Sequence, residues 1–149
     1  MNEAELVAYL AGLFDAEGTI LIEKKQPRWN NKSTQYILTV SVTNTRPELV
    51  RASHEQYGEH IVGPIRVKEG QKPFYRWSLS GAAARDFLRD IEPYLIIKRD
   101  RVALAYELQD RIDNYRHKPV QKDELGIREG IYLRFRRINK RGVSEPDSI

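Results

Sequence analysis

The chain has 149 residues, is 40% apolar and 31% charged, carries a formal charge of +4 and contains no cysteine. That length suits one domain with a sizeable core, and the missing thiols exclude a disulfide framework, a thiolate zinc site and a cysteine nucleophile. No run approaches the roughly 20 apolar residues of a membrane span and the first residues lack a secretory pattern, so a soluble intracellular protein with no membrane partner is expected.

The first element is a helix ending near Gly18. On a helical wheel Leu6, Val7, Leu10, Leu13 and Phe14 share one side, while Ala4, Ala8, Ala11, Gly12 and Asp15 share the other. The large residues suit a core, and the small stripe permits another backbone to approach closely. A glycine inside a helix costs about 1 kcal/mol relative to alanine, so Gly12 implies a packing reason. Gly18 is expected to stop the helix in the left-handed conformation, which leaves Glu17 at the junction with a strand.

Thr19 to Lys25 is β-rich, and the Pro27 to Ser33 stretch, with Asn30 and Asn31, is a turn; Asn31-Lys32-Ser33 is then a loop, not a glycosylation site. In the next strand Tyr36, Leu38, Val40 and Val42 alternate with Gln35, Ile37, Thr39 and Ser41, the pattern of a sheet with one covered and one open face. Pro47 opens a second helix that ends near Tyr57-Gly58. A second hairpin is predicted from Ile61 to Lys68 and Phe74 to Leu79. Ser80 can cap a helix over 81–91, the Glu92-Pro93 step breaks it, a longer helix runs over about 97–115, and helical spacing continues through Leu125, Ile131, Tyr132, Phe135 and Ile138. The order predicts one antiparallel sheet of two hairpins with helices on one face, an α+β architecture. It predicts a single domain over 1–142, whose segment 116–142 is basic and helical, followed by a polar tail at 143–149.

Charge is uneven along the chain. Residues 116–142 hold nine Lys/Arg against three Asp/Glu, whereas the rest is balanced or slightly acidic. Such a patch is the electrostatic footprint of a polyanion. The open sheet face would carry Glu23, Lys25, Gln35, Ile37, Thr39, Ser41, Arg66, Lys68, Arg76 and Ser78. These are varied in chemistry, as base-edge recognition in a major groove requires. Arg28 and Trp29 at the hairpin tip, and Arg136 and Lys140 in the basic segment, would extend the contact.

The string Leu10-Ala11-Gly12-Leu13-Phe14-Asp15-Ala16-Glu17-Gly18 resembles the signature of the LAGLIDADG homing endonucleases, with Phe14 for an aliphatic residue and Glu17 for the second aspartate. The element order also matches that family's αββαββα core, with its saddle-shaped antiparallel sheet, here followed by C-terminal helices. The resemblance implies a homodimer that hydrolyses double-stranded DNA at a long, near-palindromic site and leaves short 3′ overhangs. It implies Mg2+, with Mn2+ or Ca2+ able to replace it for binding. Glu17 and the Ala16 carbonyl would hold the metal, and Asp15 takes the first acidic position, a structural one. Asn44 at the end of the second strand would organise water, and Lys98 after Pro93-Tyr94-Leu95 would assist the reaction, with Arg46 on phosphate. The stripe Ala4, Ala8, Ala11, Gly12 and Asp15 would form the dimer interface. An RNA-splicing maturase, or a DNA-binding regulator that does not cut, would keep the same fold. Other signatures fail. Gly130-Ile131-Tyr132 has no partner half of a GIY-YIG nuclease, no phosphate loop or dinucleotide glycine motif occurs, and His54, His60 and His117 lack zinc-ligand spacing.

Overall fold

Period-two patterning builds the sheet. In a computed structural model that describes residues 1–27, 33–66 and 68–140, strands β1 (Gly18–Lys25), β2 (Gln35–Asn44), β3 (His60–Ile65) and β4 (Phe74–Ser80) form one antiparallel sheet in the order β1-β2-β4-β3. Ile20 and Ile22 on β1, Leu38, Val40 and Val42 on β2, and Trp77 and Leu79 on β4 turn to the covered face and are buried. Helices α1 (Glu3–Glu17), α2 (Pro47–Tyr57), α3 (Gly81–Ile91), α4 (Arg99–Asn114) and α5 (Lys122–Asn139) complete the fold. The element order is the predicted α+β arrangement.

Phe87 of α3 is the hub of the core. Its ring meets Phe14 at 5.2 Å, Tyr57 at 4.9 Å and Trp77 at 5.2 Å, each edge to face, an arrangement that suits the ring quadrupoles. The Trp77 indole N–H donates to the Gly58 carbonyl at 2.8 Å, so its one polar group is satisfied while the ring is fully buried. Buried ion pairs fasten the last two helices. Arg111 of α4 grips Glu124 of α5 with two hydrogen bonds of 3.0 and 2.8 Å, and Arg128 adds a third at 3.2 Å.

Three expectations change. Gly18 is extended at φ −85°, not left-handed. It is required because a Cβ there would stand 2.5 Å from the Phe14 carbonyl oxygen and overlap the Phe14 ring. Strand β3 ends at Ile65, just past a slip in its pairing between Val62 and Ile65, where Pro64 has no amide to donate. Arg66 and Lys68 therefore lie outside the strand; Lys68 is in the hairpin turn, its amide donating to Gln71 Oε1 at 3.2 Å. The long helix starts at Arg99, after a 3-10 turn at Glu92–Tyr94 and an extended Leu95.

Candidate active site and nucleic-acid interface

Helix ends leave carbonyls at one terminus and amides at the other without partners. Here the end of α1 and the start of α4 satisfy each other. The Asp15 carboxylate accepts three backbone amides, from Ile96 at 2.7 Å and from Ile97 and Lys98 at 3.1 Å. Lys98 has no capping side chain of its own, so Asp15 supplies the negative charge that the α4 start favours. In return the Lys98 ammonium donates to the Asp15 carbonyl at 2.6 Å, placing a cation at the α1 carboxyl end, whose last turn holds no basic residue. Burial pushes the Lys98 amine below its ordinary value and the neighbouring Arg101 adds to this, against opposing pulls from Asp15, Asp100 and Glu17.

Glu17 is exposed and makes no hydrogen bond or ion pair among the described residues, although its charge reaches Lys98. A carboxylate without a partner, beside a partly buried lysine and the last carbonyls of a helix, can receive a cation. Among the described residues no three His, Cys, Asp or Glu side chains gather closely enough to hold a metal ion by themselves. The donor set nevertheless fits magnesium, which is usually held by one or two carboxylates, several waters and substrate phosphates.

The remaining expected residues divide. The structure brings Glu17, Ala16, Asp15 and Lys98 together, and Ala16 is exposed next to Glu17. Asp15 is engaged within its own chain, not free for a partner. Ala11 is fully buried in the core and leaves the interface stripe, because at 100° per residue it lies nearer Phe14 than Gly12. Asn44 stands at the same end of the sheet, one residue past the Arg76 rung, but it shares the parity of core-facing Val42 and its Oδ1 accepts the Arg46 amide at 2.8 Å, a turn bond. The exposed Arg46 side chain pairs with Glu48 at 3.5 Å.

On the open face the register forms rungs: Lys25 with Gln35, Glu23 with Ile37, Leu21 with Thr39 and Ser80, Thr19 with Ser41, Ser78 and His60, and Thr43 with Arg76 and Val62. Lys25, Glu23, Gln35 and Arg76 are exposed. Thr39 has the right parity but is buried, and its hydroxyl finds no partner among the described residues, so it does not present a free group. Arg76 is held by a hydrogen bond of 3.3 Å to Thr43 Oγ1 and lies 5.8 Å from the Phe74 ring. Arg28 and Trp29 lie outside the described residues. Arg136 and Lys140 line a cavity of about 600 Å³ between α5 and the outer edge of β1, together with Tyr132, Arg137 and Leu21.

Two further residues stand near the site without any local sequence signal. Asn139 of α5 donates to the Ile20 carbonyl at 2.8 Å, covering part of the free edge of β1. Arg101 donates to the Ile138 carbonyl at 3.5 Å and stands beside Lys98. Both bring the end of α5 towards the site, and neither carries a local signal, since their partners lie 119 and 37 residues away.

The LAGLIDADG-like domain family model matches residues 4–92, the span from α1 through α3 that builds the sheet and the motif helix. The chain belongs to the LAGLIDADG-like domain family. The motif string occurs once in these 149 residues. The LAGLIDADG fold is also seen in solved structures. The archaeal intron-encoded homing endonuclease I-Vdi141I complexed with DNA aligns at a TM-score of 0.77 and 19% identity, covering 98% of this chain and 91% of that one. The homing endonuclease I-CvuI, bound to its target in 2 mM calcium, aligns at 0.75 and 15% identity over 95% and 87%. The group I intron-encoded homing endonuclease I-CeuI complexed with DNA aligns at 0.70 and 19% identity over 97% and 72%. The comparison with curated proteins gave no match.

Proposed function

We propose that this LAGLIDADG family member is a homodimeric, site-specific endonuclease of double-stranded DNA that works with a divalent metal, and that it cuts a long near-palindromic target to leave short 3′ overhangs. The observation that carries the reading is the exposed, unpaired Glu17 carboxylate at the end of the motif helix, beside an anchored Lys98. A protein that only bound DNA would gain nothing from a bare acid there, since it would repel phosphate. Glu17 and the Ala16 carbonyl would hold magnesium, which when bound neutralises phosphate charge and activates water. Lys98, its amine easier to deprotonate than an ordinary lysine, exchanges a proton with the attacking water or stabilises charge on the phosphate.

One chain offers one such carboxylate, and two strands must be cut. A two-fold pairing of α1 helices supplies the second and predicts a target of two similar half-sites. The exposed stripe on α1 is Glu5, Tyr9, Gly12 and Ala16, with Ala8 half-buried beside it, and a Cβ added at Gly12 would meet nothing within 4 Å. The chain's own packing therefore does not demand that glycine, whereas a partner helix would. Ile96 and Ile97, exposed next to this face, add apolar area for the same contact.

Base recognition is assigned to Glu23, Lys25, Gln35, Ile37, Ser41, Arg76 and Ser78, because a β-ribbon presents every second side chain to the major groove. Arg136 and Lys140 anchor phosphates. Incubating the protein and Mg2+ with a randomised duplex library, then sequencing cut ends, tests the reading. Recovered ends with 3′ overhangs flanked by related half-sites are expected. Retention of duplex without cutting would instead favour a regulator, and cleavage of no duplex overturns the nuclease assignment.

A further inference from the structure

Lys98 is held at both of its ends by one residue. Its backbone amide donates to the Asp15 carboxylate at 3.1 Å, and its side-chain ammonium donates to the Asp15 carbonyl at 2.6 Å. The Ile96 and Ile97 amides converge on the same carboxylate, so the approach to α4 is set from α1. A lysine otherwise carries a flexible four-carbon stem, and neither a capping side chain at the start of α4 nor a regular element over Leu95 to Lys98 would fix it. Asp15 precedes Ala16 and Glu17 directly. The hold therefore ties the position of the lysine to the residues assigned to the metal.

We infer that Asp15 is the positioning residue of the reaction: its carboxylate and carbonyl together hold Lys98 against the end of the motif helix, so that the ammonium and the Glu17 carboxylate address the same phosphate. The inference rests on the proposed nuclease reading, and specifically on a role for Lys98 in the chemistry. Asp15 touches neither substrate nor metal in this scheme. Its contribution to the chemistry passes through Lys98, which it holds together with the Ile96 and Ile97 backbone. A residue acting only on stability would show a different pattern, in which its loss multiplies with the loss of Lys98.

The experiment uses the intact protein and the duplex recovered from the cleavage library. Single-turnover cutting in Mg2+ and duplex binding in Ca2+ are measured for Asp15→Asn, Lys98→Ala and the double variant. Asparagine keeps one acceptor oxygen but turns an NH2 group towards three amide donors. Misplacing a reacting group by about 1 Å can cost about 10²-fold, so each single variant should lose about that factor in cutting rate while Ca2+ binding stays within about threefold. The double variant should cut no more slowly than Lys98→Ala, because groups acting as one unit are not additive. Asp15→Glu, which keeps the charge and displaces the carboxylate by one methylene, decides the matter if Asp15→Asn does not fold. Asp15 variants that cut at the wild-type rate, or a double variant slowed by the product of the two losses, overturn the inference while leaving the nuclease reading in place. Wild-type cutting by Lys98→Ala overturns the catalytic role of Lys98 and this inference with it, whereas no cutting by the wild-type protein overturns the nuclease reading itself.

Discussion

At the scale of single residues, Glu17 and Gly18 are neighbours with unrelated duties. Glu17 is exposed and unpaired, so replacing it should change chemistry without changing the fold. Glu17→Gln is expected to abolish cutting while duplex affinity in Ca2+ stays within about tenfold, roughly 1.4 kcal/mol. Gel-shift titration and cleavage of one labelled duplex check both halves, and normal cutting by the variant would remove Glu17 from the mechanism. Gly18 is the opposite case. Its backbone is extended, so no left-handed strain is involved, but Ala at this position drives a methyl into Phe14, the residue that meets Phe87 in the core. Gly18→Ala should cost about 1–3 kcal/mol, as overpacking does, seen as a lower midpoint in urea unfolding.

At the scale of elements, α5 is held by charge as well as by apolar area: Glu124 and Arg128 are buried in the same helix as Ile131 and Phe135. Burial pushes the Glu124 carboxyl up, but the bonds from Arg111 and Arg128 outweigh it and leave the group below the ordinary range. Asp113 is likewise pushed up by burial and held below its ordinary value, chiefly by Arg85 and Gln109, while the Tyr36 hydroxyl and the Lys24 ammonium lower Glu129. A carboxyl whose folded pKa is depressed stabilises the fold fully above its unfolded pKa, and that stability is lost as pH falls through the folded value. Unfolding free energy should therefore be steady above the ordinary carboxyl range of about pH 4 and decline below it. Glu124→Gln leaves Arg111 and Arg128 without their charged partner, and Arg128 is nearly fully buried. Removing one partner of a buried pair costs about 3–5 kcal/mol. The variant should lose about that much at neutral pH and show a shallower acid decline; an unchanged acid profile would show that the pair does not govern it.

At the scale of the whole molecule, two surfaces are expected to fail in different ways. Successive rungs lie two residues apart, about 6.7 Å along a strand, or roughly two base pairs. The Thr43–Arg76 rung is at the Glu17 end of the sheet and the Lys25–Gln35 rung at the far end. Arg76→Ala should cost about 1–3 kcal/mol on the recovered duplex and relax discrimination at one inner base position per half-site. Neutralising Arg136 and Lys140 should weaken binding to every sequence alike and flatten the salt slope by about 0.9 for each lost phosphate contact. Titrations on cognate and scrambled duplexes across salt separate the two, and a change of base preference from the α5 variant alone would move the reading surface off the sheet. Pairing of two chains has its own test. Gly12→Leu places a bulky side chain on the exposed α1 stripe, where the isolated chain has room, so it should separate the dimer in sedimentation while the fold persists. A wild-type monomer that still cuts duplex DNA would sink the shared-site model.

Much of this was legible without coordinates because it is periodic or local. The alternation of Tyr36, Leu38, Val40 and Val42 requires a covered and an open face, Pro47 and the Glu92-Pro93 step bound helices through the geometry of proline, and the motif string placed Glu17 at a helix end. The helix does end at Gly18, but glycine is required there by the Phe14 ring, a packing fact, and not by a left-handed backbone. Sequence patterning extends β3 to Arg66 and Lys68 because it does not register the slipped pairing at Pro64. A wheel places Ala11 with the small stripe because it shows which residues are small and not which side the core occupies, and Ala11 is buried in the core. What the tertiary structure alone decided is the exchange between Asp15 and residues 96–98, the Glu124 pairings across α4 and α5, and the reach of Asn139 to β1. Each joins residues distant in sequence. Sequence determines which elements form, because helix and strand periods and proline geometry act over a few residues, whereas helix-end satisfaction and buried charge pairing are settled only when packing brings remote groups together.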